Sequence, residues 1–107
     1  IFILSLQINI ADKNREKQTL LVRESASIIQ DEIRLAAGAS DGYQRQFDLP
    51  MQLSGENYNV TIIGDLIFLE TEDGRDAVAL PIFNVTGQPS LGPNIIRKSE
   101  GRVYLNS

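Results

Sequence analysis

The chain has no cysteine and no histidine. Without cysteine there is no disulfide, no thiol nucleophile and no thiolate metal ligand. Without histidine there is no Ser–His–Asp triad, no imidazole-held zinc and no side chain that titrates near neutrality by default. Positive charge is also scarce: Lys and Arg number 10 against 14 Asp and Glu, a net charge of −4. That balance argues against a nucleic acid partner. Aromatic residues are few, with Tyr 3 and Phe 4, and they do not interleave with cations as in single-strand binders. There is no GxGxxG, no phosphate loop and no GxSxG. Carboxylates such as Asp41 and Asp48 are not set in an apolar stretch where acid–base work would be tuned. The sequence therefore predicts a protein that is not an enzyme and takes no cofactor or metal.

What is present fits one domain. The 107 residues are 42% apolar, and a chain of this mass buries roughly 65% of its unfolded surface. Charge is unevenly placed. Residues 1–38 balance Lys13, Arg15, Lys17, Arg23 and Arg34 against Asp12, Glu16, Glu24, Asp31 and Glu32. The whole net negative charge falls in residues 39–107, as suits an exposed, soluble body.

The first eleven residues, IFILSLQINIA, are mostly apolar, and DKNREKQ then switches to charge. Eleven helical residues span only about 16 Å, half a bilayer, so the run does not cross a membrane alone. It also lacks the basic segment and small-residue cleavage site of a signal peptide. Two readings stand. The run is an amphipathic lead-in to a core helix, or the chain starts inside a longer apolar helix. Ile1, Phe2, Ile3, Leu4, Leu6, Ile8 and Ile10 surround the helix axis rather than forming one stripe. Such a helix needs cover from lipid or from other chains.

From Asp12 to Ala37 there is no proline or glycine. Val22, Ala26, Ile29, Ile33 and Ala36 recur at four-and-three spacing and define one face, which Leu21, Ser25 and Ile28 are expected to widen. Gly38 is read as a left-handed cap. The spacing predicts one helix over residues 1–37, roughly 55 Å long, against a body of about 70 residues only about 25 Å across.

After Gly42 the period becomes two. Residues 43–49 read as a strand that Pro50 stops. NYNVTII and LIFLET flank Gly64-Asp65, a glycine-first hairpin turn, and Asp73-Gly74 leads into RDAVALP. The two turns, taken separately, place Val60, Ile62, Ile67, Leu69, Val78 and Leu80 on one face, and a one-residue slip at either would break it. That face is expected against Val22, Ala26, Ile29 and Ile33 of the helix. Residues 83–94 read as a loop, and IIRK and RVYLN as a last hairpin. The expected fold is α+β: an N-terminal helix over residues 1–38 packed on a small antiparallel sheet domain over residues 39–107.

Two weaker motifs remain. ETEDGRD, residues 70–76, lacks the alternating ligands and distal glutamate of a calcium loop and reads as a solvated turn. Asn59-Val60-Thr61 and Asn84-Val85-Thr86 match the N-glycosylation acceptor, although chance alone gives about one match for this many asparagines. Asn59 is expected on the outer side of its hairpin and Asn84 in a loop, where a glycan is tolerated.

SASIIQDEIRLAAGASDGYQRQFDLP at residues 25–50 resembles the helix-to-sheet junction of archaeal type IV pilin-like proteins, which are made with a class III signal peptide. YNVTIIGDLIFLET, LPIFNVTG and NIIRKSEGRVYLN are similar to later parts of that family. The resemblance covers roughly residues 20–106 and rests on Gly42-Tyr43 after the helix and the Asn84–Gly87 loop. It implies a homo-oligomeric helical filament at the cell surface. Before assembly the apolar half of the helix rests in the membrane, and a prepilin peptidase and the pilus assembly machinery act on the precursor. The sheet domain forms the outer surface and is often glycosylated. The family's basic leader, cleavage site and acidic residue near the mature N-terminus are not in this stretch and are expected upstream of Ile1. The competing expectation is a membrane-tethered or minor pilin-like binding module, whose acidic sheet or 83–94 loop contacts a surface, sugar or protein.

Overall fold

A computed structural model describes residues 2–107, with side chains from Glu16 onward. It is an α+β fold of one helix and two small sheets. Helix α1 spans Phe2–Ala37. Strands follow at Gln44–Leu49 (β1), Tyr58–Ile63 (β2), Leu66–Thr71 (β3), Ala77–Pro81 (β4), Val85–Gly87 (β5), Gly92–Ser99 (β6) and Arg102–Leu105 (β7). They form a four-stranded sheet in the order β1-β6-β7-β5 and a three-stranded sheet in the order β2-β3-β4.

The hairpins form in the register their turns dictate. Val60 faces Leu69 and Ile62 faces Ile67, while across the next turn Leu69 faces Val78 and Ile67 faces Leu80. Gly64 opens the first turn at φ 61°, a conformation that glycine adopts without a Cβ penalty. The last hairpin pairs Ser99 with Arg102 around Glu100-Gly101.

Two expectations are corrected. The strand domain is not one antiparallel sheet: there are two sheets, and β5 runs parallel to β7, with Val85 opposite Val103. Residues 83–94 are not all loop, because they contain β5 and the start of β6. The glycine and proline content there does not prevent strand formation, although β5 has only 3 residues. The helix end also differs from its reading. Gly38 is not in the left-handed region. Its N–H bonds the Arg34 carbonyl at 3.1 Å, and Lys98 Nζ donates to the Ala37 carbonyl at 2.5 Å, so a cation from β6 closes the helix C-terminus.

The core lies between the helix and both sheets. Ile29, Ile33 and Ala36 pack with Phe47, Ile62, Ile67, Ile96, Val103 and Leu105. Val22 and Ala26 pack with Leu53, Tyr58 and Leu69. Each fully buried Ile or Leu here contributes about 1.5–3 kcal/mol relative to exposure. Two polar side chains organise the strand domain, of which Gln88 links the two sheets. The Gln88 amide accepts from the Ile62 N–H at 2.8 Å and donates to the Ile62 carbonyl at 3.0 Å, filling the role of a neighbouring strand at the β2 edge. Asn94, buried, donates to the Ser90 and Gly92 carbonyls and accepts from the Ser90 N–H and the Asn106 amide, and so fixes the 88–94 segment.

Tyr58 gives the fold an alkaline limit. Its hydroxyl donates to the Pro50 carbonyl at 2.5 Å, and burial pushes its pKa up to about 12. An unfolded tyrosine titrates near about 10. The folded state therefore holds the proton longer, and this contribution is complete below about pH 10 and lost as pH rises towards 12. Stability measured in denaturant is expected to fall through that window. Tyr58→Phe should flatten the fall and cost about 1 kcal/mol at neutral pH through the lost hydrogen bond. An unchanged alkaline slope in the variant would show that another group controls it.

Candidate assembly helix and surface sites

The helix has two faces of different use. Val22, Ala26, Ile29 and Ile33, expected against the sheets, are all buried there at 2% exposure or less. Ser25 is buried with them, but Ile28 is not. Ile28 lies about 120° around the axis from the middle of the buried face, which puts it beyond the reach of the sheets. It is 40% exposed and belongs with Leu20 at 54% and Leu35 at 52%. These three fall within about 80° of one another on the side away from the sheets, interleaved with Glu24 and Asp31. They are three exposed apolar side chains on the outer side of the helix, with the carboxylates of Glu24 and Asp31 between them.

Along the axis the helix outruns its partners. Thirty-six residues extend about 54 Å, and the molecule measures 64 × 22 × 20 Å. Among the described residues, hydrogen bonds from the helix to the strand domain begin at Gln18 and Thr19: Gln18 donates to the Leu53 carbonyl, and Thr19 to Asp76. The side chains of Ile1, Phe2, Ile3, Leu4, Leu6, Ile8 and Ile10 lie outside the described residues, as do those of Asp12, Lys13 and Arg15. Glu16 and Lys17 are exposed. Among the described residues, no helix is long and apolar enough to cross a membrane.

One charged contact was not anticipated. Glu32 lies on the buried face, its side chain 10% exposed, and Oε1 meets Arg45 Nε of β1 at 3.3 Å. Its Oε2 has no hydrogen-bond partner. The signal was available, because Ser25, Ile29, Glu32 and Ala36 follow the same four-and-three spacing as the apolar residues. A carboxylate at such a position must bring a cation with it, and Arg45, on the same face of β1 as Phe47 and Leu49, supplies one.

The two acceptor asparagines are both exposed. Asn59 lies on β2, opposite Glu70 and pointing away from the core, and Asn84 lies between β4 and β5. Asn84 shares a surface recess with Ala37 at the helix end. In the acidic turn, Asp73 Oδ1 accepts from the Arg75 N–H at 3.0 Å and from the Thr71 hydroxyl at 2.7 Å. These bonds, the backbone one first, hold the Asp73 carboxyl below the usual range. Among the described residues, no three acidic side chains are grouped to hold a metal ion.

Compared with protein-family models, with curated proteins and with solved structures, the chain finds no match.

Proposed function

We propose that this chain is a structural subunit of an extracellular pilus-like filament of the archaeal type IV kind, assembled through its N-terminal helix. The observation that carries the reading is the length of the helix relative to the domain it packs on. Its last half supplies the core face, while IFILSLQINIA precedes the first described contact with the strands. Burying seven large apolar side chains between subunits contributes on the order of 10–20 kcal/mol before entropy costs. The exposed Leu20, Ile28 and Leu35 add further apolar contacts along the outer side of the helix. A contact between one part of a helix and a different part of its neighbour does not close on itself, and such a heterologous contact builds a helical fibre. The strand domain then faces outwards, with Asn59 and Asn84 as candidate glycan acceptors.

Removal of residues 1–19 tests this. Among the described residues the core begins at Val22, so the truncated chain should remain folded and become a monomer. Light scattering is the readout, with circular dichroism to confirm the sheets. A truncated form that still polymerises would show that the strand domain, not the helix, drives association.

A further inference from the structure

A recess on the strand domain arises where two strands part. β5 pairs with β7 only from Val85 onward, and Phe83 and Asn84 lie outside any strand just before it. The turn at Gly101 and the start of β7 at Arg102 and Val103 are left facing a cavity of about 480 Å³, backed by the helix end at Ala37. That volume lies within the range of small-molecule sites.

Three kinds of group meet there. Phe83, 58% exposed, offers an aromatic face. Asn84 and Thr86 offer neutral donors and acceptors. Lys98 and Arg102 offer charge. Lys98 spends one of its three ammonium donors on the Ala37 carbonyl, which both fixes its position and offsets the partial negative charge of the helix end. Arg102 is exposed. No carboxylate is among the residues described as lining the recess. Asp41, at its rim, has Oδ1 taken by the Gly101 N–H at 2.9 Å. In a chain with a net charge of −4, a concave wall with two cations is a local reversal of sign.

We propose that this recess binds an acidic monosaccharide unit, a hexuronate. Its ring lies against Phe83, its carboxylate meets Arg102, and its hydroxyls meet Thr86, while Lys98 adds positive charge from the helix side. A bare anion leaves the aromatic face unused, and a neutral sugar brings no counter-charge to the two cations. A uronate engages both, and guanidinium geometry suits a carboxylate in particular. The site is independent of fibre assembly, because none of these residues lies in the first nineteen.

The test is saturation-transfer NMR on the full chain, made without glycosylation so that Asn84 is bare. The method tolerates a polymerised sample, so a failure of the filament reading does not affect it. Methyl glucuronide should bind, and methyl glucoside and acetate should each bind about tenfold more weakly or worse. Phe83→Ala and Arg102→Gln should each weaken glucuronide binding by about tenfold with unchanged circular dichroism. Absent glucuronide binding, equal binding of the glucoside, or acetate competing as well as the uronate would each overturn the proposal. So would folded variants that bind as the parent does. If a variant fails to fold, the three-ligand comparison on the parent chain still decides.

Discussion

Ile3→Asp is expected to abolish fibres while leaving the strand domain folded. In the proposed filament the first eleven residues are covered on all sides by copies of themselves. A carboxylate there is taken out of water, with no basic residue between Ile3 and Lys13. Ten residues of helix separate them, about 15 Å. An unpaired charge in such surroundings costs several kcal/mol per subunit, and every subunit carries it. The loss multiplies along a filament, so electron micrographs should show no fibres rather than shorter ones. Ile8→Asp should behave alike. Ile63→Asp is the matched control, since Ile63 is 62% exposed on the far side of the three-stranded sheet. Fibres should survive it. Undiminished fibres in Ile3→Asp, or their loss in Ile63→Asp alone, would move assembly from the helix to the strand domain.

Gly87→Ala is expected to be the most damaging conservative change in the strand domain. Gly87 sits at φ 111°, which side-chain-bearing residues rarely adopt. An added Cβ would lie 1.9 Å from the Leu105 carbonyl oxygen and 2.9 Å from its carbon. Backbone on β7 cannot swing aside as a flexible side chain would, so β5 must leave the sheet. Gln88 follows immediately, and its amide clasp on Ile62 would be pulled out of position with it. Leu105, fully buried at this edge, would lose its cover. The strain and clash together should cost about 3 kcal/mol or more, which lowers the melting temperature of a domain this size by roughly 12–24 °C. Gly64→Ala separates the two causes. Gly64 also has positive φ, at 61°, but nothing lies within 4 Å of its added Cβ. It should cost only about 1 kcal/mol of backbone strain. Equal melting temperatures for the two variants would refute the role assigned to the β5–β7 approach.

The helix was legible because its information is local. Val22, Ala26, Ile29, Ile33 and Ala36 repeat at the helical period, and no proline or glycine interrupts them before Gly38. The hairpins were legible for a related reason. A two-residue turn fixes register, and alternation on each arm then assigns the faces, so Gly64-Asp65 and Asp73-Gly74 determined which residues of β2, β3 and β4 meet. The outward turn of Ile28 was misjudged, because helical periodicity gives the centre of a face more surely than its edge. The edge is set by how far the opposing sheets reach.

The sequence alone thus settled the helix, the strands other than β5 and the start of β6, the pairings joined by short turns and the apolar face that binds helix to strands. Only the tertiary structure decided how the strands divide into two sheets, that β5 lies parallel to β7, that Glu32 finds Arg45, and that Phe83 and Arg102 share a recess. These are contacts between residues distant in the chain. Their geometry depends on how a finished core seats each strand, and no turn or period encodes it.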